Sequence, residues 1–194
     1  MIIRRLIFLL LLTPGVLLLG CQGIMKRGSL EPSGSPSIAL AHGYGLLYST
    51  IDEESKVDQI LILKNPEPAV AELLKAIGEF SRIARKRLEE FAGQDPAIVL
   101  DDHGLPEVEV RTRASISADT SREIVFSGGR DFEIRILLTQ HEALNYISHL
   151  AGTLSEQDTI EIRKQYFAQL AKDANDLHDR VIAQLATPYL GPSN

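Results

Sequence analysis

The feature that most constrains the fold is the helical spacing of apolar residues between positions 67 and 92. Apolar or small residues recur every three or four positions and would share one helix face: Val70, Leu74, Ile77, Ser81, Ala84, Leu88 and Phe91. Pro66 and Pro68 suit the beginning of such a helix, and Gly93 suits its end. The opposite face is charged, which is typical of a solvated surface. We therefore predict a long amphipathic helix with one buried face.

A second strong pattern covers residues 155–186. Its apolar stripe consists of Ile160, Phe167, Leu170, Ala174, Leu177, Val181 and Leu185. Ser155, with Asp158 three positions later, resembles a helix-capping pattern. Pro188 and Gly191 would end the helix. The sequence predicts a last helix that begins at Ser155.

Two segments carry competing signals. Residues 107–126 and 130–153 both show helical spacing, but each also contains a short alternation of apolar and charged residues that is typical of a strand. Helix is favoured for both, because Val108, Thr112, Ile116, Thr120 and Ile124 keep a constant four-residue step, and a stripe of similar spacing continues from Phe132 to Leu150. The strand alternative stays open over 107–138. Gly128-Gly129 predicts a break between the two segments.

The remaining body of the chain fits the same class. Residues 38–51 are predicted to form a first helix, 57–63 a short apolar segment, and 94–106 a loop. The sequence thus predicts an all-α protein, an up-and-down bundle of four to five helices over 38–187, with a short tail at 188–194.

The order of these features is similar to that of a ferritin-like four-helix-bundle domain family of unknown function found in exported bacterial proteins. The likeness covers about residues 38–187 and depends on Leu105-Pro106, Gly128-Gly129, Asp131-Phe132 and the last helix, in that order. It implies the shape of a ferritin-like bundle. Ferritin-type metal sites use Glu-x-x-His on two helices. Here Asn145 follows Glu142 at the third position, so the resemblance does not imply di-iron chemistry.

The N-terminal segment predicts a membrane address. Arg4 and Arg5 precede an apolar run that is too short for a membrane span of about 20 residues, an arrangement typical of a secretory signal. Leu18-Leu19-Gly20-Cys21 follows and resembles the lipobox of bacterial lipoproteins. That family implies cleavage between Gly20 and Cys21, which makes residues 1–20 a signal peptide, and a diacylglycerol on the Cys21 sulfur. An uncleaved signal anchor is the alternative.

The same resemblance implies where the protein resides. Two or three acyl chains on Cys21 would hold it to a lipid bilayer, whereas one chain binds only marginally. Residues 21–37 are rich in Gly, Ser and Pro and are predicted to be a flexible tether. Gln22, rather than an aspartate, follows the cysteine and favours the outer membrane over the inner membrane of the bacterial cell envelope.

Charge excludes one class of partner. Residues 1–20 hold Arg4 and Arg5 and no acidic residue, so the formal net charge of −6 becomes −8 without them. An acidic domain repels phosphate backbones, and we expect no nucleic-acid binding. Cys21 is the only cysteine, which excludes an intramolecular disulfide.

Four polar groups in the sequence are candidate sites. His141 and His149 lie about 12 Å apart along one helix and cannot hold the same ion directly. Asp101-Asp102-His103 is interpreted as a solvated turn, and His178-Asp179 as a helix surface. Ser127-Gly128-Gly129-Arg130 could bind an anion at a helix start, but it lacks the lysine and the spacing of a phosphate loop.

These patterns predict no catalytic residue, no metal ligand and no cofactor. We expect a non-enzymatic lipoprotein whose helical domain binds an envelope protein or has a structural role. One alternative is a metal-binding or redox ferritin-like bundle with altered ligands. Another is a hydrolase with a mixed α+β domain, which requires strands within 107–138.

Overall fold

The structure, a computed structural model, describes residues 37–186, and all of them lie in one compact unit. Five α-helices and one short 3-10 helix make up these residues: α1 (Ile38–Glu54), the 3-10 helix η1 (Val57–Ile62), α2 (Pro68–Gln94), α3 (Glu107–Phe126), α4 (Gly129–Gln157) and α5 (Glu161–Ala186). The predicted all-α helical bundle is confirmed. The strand alternative for 107–138 is wrong, because these residues form α3 and the first part of α4.

Four of the helices form the core in a square, with α1 beside α2 and α4, and α5 beside the same two helices. Contacts between side chains show that α1 and α2 are antiparallel. Tyr48 donates to Glu89 at 2.9 Å, and one turn later in α1 Asp52 accepts from Arg85 at 3.0 Å. A turn of three residues makes α4 and α5 antiparallel as well.

Helix α3 lies outside this square, because it connects α2 to α4, two helices that run in the same direction. Gly43 of α1 lies against Leu154 of α4, and Glu54 hydrogen-bonds to Gln140, so α1 is antiparallel to α4 as well as to α2. Helices α2 and α4 therefore run in the same direction, and the chain between them must return along the bundle. Helix α3 makes that return beside α4. Its Arg113 hydrogen-bonds to Tyr146, and its Glu123 pairs with Arg135 at 2.6 Å.

Apolar side chains of the four core helices form two clusters that follow one another along the bundle. The first surrounds Tyr44 and Phe167, and the second surrounds Leu74 and Leu137. Phe80 packs against both. The predicted stripe of α2 is buried throughout, from Val70 to Phe91, which confirms the first sequence prediction.

The predicted start of the last helix is wrong. Helix α4 continues to Gln157, so Ser155 lies in its last turn and donates its hydroxyl hydrogen to the carbonyl of Gly152 at 2.9 Å. Asp158 ends α4, and its carboxylate accepts from the backbone N–H of Ile160 at 2.8 Å in the turn before α5. The residues that resembled a cap belong to the preceding helix and to the turn.

The glycine break is confirmed. Helix α3 ends at Phe126, Gly128 precedes the first residue of α4, and Gly129 has a φ of +52°, a left-handed conformation that glycine adopts without strain. The predicted likeness to the ferritin-like family stays a prediction.

Candidate functional site

The predicted lipid-attachment site lies outside the described residues. Gly20 and Cys21, with the signal segment 1–20 and the tether up to residue 36, precede the first described residue, and 187–194 follow the last one. No described helix is long and apolar enough to cross a bilayer. The candidate sites that the structure describes are therefore those of the bundle.

A buried polar network lies at the end of the bundle where α4 turns into α5. Arg163 is only 5% exposed, and its guanidinium lies between two carboxylates. Its Nε donates to Asp158 at 3.1 Å, and its Nη1 donates to Asp95, just after α2, at 2.8 Å. Tyr44 of α1 donates its hydroxyl hydrogen to Asp158. The network joins α1, α2 and α5 at one point.

Burial and pairing shift the acidity of two members of this network. Burial raises the pKa of the Tyr44 phenol, and the neighbouring Asp158 raises it further, so the phenol remains a donor. The hydrogen bond from Arg163 lowers the pKa of Asp95. The lowered pKa of Asp95 favours its ionised carboxylate, and the raised pKa of Tyr44 favours its neutral phenol. These are the forms that make the observed hydrogen bonds.

A cleft of about 300 Å³ borders the network. It is lined by the end of α2 and the start of α5, namely Phe91, Gln94, Asp95, Ile160, Ile162 and Arg163. The lining includes no serine, cysteine or histidine that could act as a nucleophile or base beside an oxyanion donor. Since Arg163 is bonded to two carboxylates, the arrangement stabilises the joint between the helices.

A second polar group lies where the two apolar clusters meet. Glu54 ends α1, and the side-chain amide of Gln140 on α4 donates to its carboxylate. Ser81 of α2 is fully buried, and the next residue, Arg82, donates to the carbonyl of Ser55 just after α1 at 3.0 Å. Buried oxygens of all three side chains, Glu54 Oε2, Gln140 Oε1 and Ser81 Oγ, have no hydrogen-bond partner. Buried side-chain oxygens are usually hydrogen-bonded, so these three unpaired oxygens are unusual in a protein core.

His141 and His178 are partly buried and His149 is exposed, and the structure shows a pairing that the sequence did not predict. His141 stacks on His178 of α5, with ring centroids 4.5 Å apart and planes 26° apart. Burial lowers the pKa of His178, and His141 lowers it further. The pairing joins two helices, so the spacing of His141 and His149 within α4 gave no sign of it. Among residues 37–186, no three His, Cys, Asp or Glu side chains are placed to hold a metal ion.

The Asp101-Asp102-His103 turn packs against α1. His42 Nε2 lies 3.4 Å from Asp102 Oδ2, and Gly45 lets the loop backbone approach so closely that a Cβ there would lie 2.3 Å from the Asp102 carbonyl oxygen. Gly104, with a φ of +61°, lies against His42 in the same way. The turn is partly solvated, as expected, but it also fixes the loop after α2.

The Ser127-Gly128-Gly129-Arg130 segment serves as a joint. The Ser127 hydroxyl donates to the carbonyl of Ile124 at 3.0 Å, and Lys64 Nζ donates to the Ser127 carbonyl at 2.6 Å. These contacts connect the end of α3 to the segment after η1. The anion-binding hypothesis gains no support from them.

The least packed of the five described α-helices is α3. Of its 20 residues only Ile124 is buried, at 9% exposure. Val108, Ile116 and Phe126 are 72%, 61% and 82% exposed. At about 100° per residue these three lie within about 80° of one another, and Val108 and Phe126 point about 160° away from Ile124. Helix α3 therefore has an exposed apolar face, Val108–Ile116–Phe126, in which Val108 and Phe126 point away from Ile124 and Ile116 lies about 80° from it. The constant four-residue step predicted the helix but not a buried stripe.

Comparisons with known proteins give no relative: no protein family, no curated protein and no solved structure matches this chain.

Proposed function

We propose that this chain is a bacterial lipoprotein of the cell envelope, anchored through acylated Cys21, whose helical bundle binds another protein through α3. The anchor is supported by the order of Arg4-Arg5, the short apolar run and Leu18-Leu19-Gly20-Cys21. The Gly-, Ser- and Pro-rich residues 21–37 would hold the bundle away from the membrane surface. Gln22 favours the outer membrane over the inner one.

The observation that carries the binding function is the exposed face of α3. A helix of this length that is not packed is marginally stable in water, and most helical stability in proteins comes from burying an apolar face. Helix α3 buries one isoleucine and exposes five large apolar side chains, of which Val108, Ile116 and Phe126 lie within about 80° of one another around the helix axis. Large apolar side chains that remain exposed on one side of a helix are a feature of interaction surfaces. A partner that covers Val108, Ile116 and Phe126 would give this helix the burial it lacks.

The charges of α3 suit a surface that meets a protein. Glu107 pairs with Arg111, Glu109 with Arg113, and Asp119 with Arg122, so positive and negative charges alternate around the apolar face. A polar rim of this kind around an apolar centre is the usual anatomy of a protein–protein interface. The absence of a basic cluster argues against an anionic lipid surface as the partner of α3.

Photo-crosslinking in intact cells tests this function. A crosslinking residue at Ile116 in the full-length lipoprotein should give one discrete higher-mass product. The matched control is Ile83, which is 62% exposed on α2 and belongs to the bundle rather than to α3. Crosslinks at Ile116 but not at Ile83 support the proposal. Equal crosslinking at both positions, or none at Ile116, contradicts a binding role for α3.

A further inference from the structure

Glu54 and Gln140 each have one buried side-chain oxygen that accepts no hydrogen bond. The Gln140 amide donates to the Glu54 carboxylate, yet Glu54 Oε2 and Gln140 Oε1 are both buried without a partner. Gln140 is only 2% exposed. An ionised carboxylate can only accept, and so can an amide oxygen. As long as Glu54 is ionised, neither oxygen can satisfy the other.

One proton removes this conflict. A protonated carboxyl group donates through one oxygen and accepts through the other, which matches an amide that offers one donor and one acceptor. We propose that Glu54 and Gln140 form a proton-binding acid–amide pair that fastens the end of α1 to α4, and that the end of α1 loosens when Glu54 ionises. This inference is independent of the lipid anchor and of α3.

The nearby cations are already paired with other carboxylates. On α2, Arg85 lies 3.0 Å from Asp52, and Arg82 lies 3.1 Å from Asp58 of η1. Lys56, just after α1, pairs with Asp52 at 2.5 Å. Neither α2 nor the residues after α1 therefore offer Glu54 a cation within the described part of the chain.

The other titratable neighbours do not favour the ionised form. Glu53, on the same turn of α1, raises the pKa of Glu54 through charge repulsion. On α4 the residue next to Gln140 is His141, which stacks on His178 of α5. Burial is the largest cause and raises the pKa of Glu54, whereas the hydrogen bond from the Gln140 amide lowers it. Burial dominates, and the resulting pKa of Glu54 is about 7.

The direction of the pH effect follows from linkage. The pKa of Glu54 is about 7 when the pair is buried and returns to the ordinary 4.5 when the end of α1 is undocked. A raised carboxyl pKa gives stability that is complete below pH 4.5 and is lost as the pH rises to 7. Docking of α1 should thus be tight in mildly acidic solution and weak above pH 7.

Hydrogen exchange of the full-length protein tests the proposal, with rates corrected for intrinsic exchange. Protection of residues 47–66, which cover the end of α1 and η1, should fall about 70-fold from pH 5 to pH 8. Glu54→Gln mimics the neutral acid and should keep the pH 5 protection at both pH values. Glu142→Gln, the same change at an exposed position of α4, should behave as the wild type.

Three results would overturn the pair. They are pH-independent protection of 47–66 in the wild type, an unchanged pH dependence in Glu54→Gln, and a loss spread evenly over all five described helices. Carbon-13 NMR of the wild-type carboxyl groups gives a reading that needs no variant. Glu54 should titrate near pH 7, and titration below pH 5 would also overturn the proposal.

Discussion

Tyr44 donates its hydroxyl hydrogen to the carboxylate of Asp158, although 114 positions separate the two residues in the sequence. This contact fixes the first turns of α1 to the turn between α4 and α5. Arg163 bonds to the same carboxylate and extends the connection to Asp95 after α2. The network is the main polar joint at this end of the bundle.

The first prediction concerns the cation of this joint. Arg163→Met should lower the free energy of unfolding by about 3 to 5 kcal/mol, because it leaves two carboxylates without their buried partner. Urea denaturation at pH 7 measures the change. Arg111→Met removes an exposed arginine that pairs with Glu107 and should cost less than about 1 kcal/mol. Equal losses in the two variants would contradict a structural role for Arg163.

The second prediction concerns acid. Because the hydrogen bond from Arg163 lowers the pKa of Asp95, its contribution to stability is present above the unfolded pKa of about 3.9 and is lost as the pH falls through the lower folded value. Asp95→Asn should therefore be less stable than the wild type at pH 6. The difference should shrink below pH 4, as followed by urea midpoints. A difference that stays constant down to pH 2 would show that the charge of Asp95 contributes nothing.

The sequence predicted the elements whose signals are local. Helix α2 carries its buried stripe and its flanking prolines within one segment, and α4 has the same kind of stripe, so both could be predicted. The start of α5 could not, because Asp158 has a tertiary role that resembles a cap only in sequence. Asp158 accepts from Tyr44 and Arg163, residues on two different helices.

The polar pairs of the core were missed for a related reason. Glu54 with Gln140, and His141 with His178, lie on different helices, so no spacing within one segment reveals them. The sequence also could not predict which side chains of α3 are buried. Its four-residue step predicts a helix, but only the packing of the surrounding helices decides that Ile124 is buried while Ile116 stays exposed.

The third prediction uses two helical glycines. Gly45→Ala should destabilise the protein by about 1 to 3 kcal/mol, since its Cβ would lie 2.3 Å from the Asp102 carbonyl oxygen and force the loop away from α1. Gly152→Ala on α4 has no atom within 4 Å of the new Cβ and should stabilise by about 0.5 to 1 kcal/mol. Thermal unfolding compares the two. The same sign in both variants would contradict the close approach of the loop.

The fourth prediction separates the two faces of α3. Ile124→Ala removes the only buried side chain of this helix and should cost about 2 kcal/mol of stability. Ile116→Ala lies on the exposed apolar face and should change stability by less than about 0.5 kcal/mol. Urea denaturation of the isolated protein decides between them. If Ile116→Ala costs as much as Ile124→Ala, the exposed face is not free to bind a partner.

The proposed membrane location of the protein depends on lipid attachment to Cys21, and the mass of the mature protein from cell membranes tests this attachment most directly. We predict a polypeptide that begins at Cys21 and carries the added mass of a diacylglycerol on that cysteine, with a further acyl chain on its amino group. A protein that retains Met1 and a free thiol at Cys21 would contradict the account.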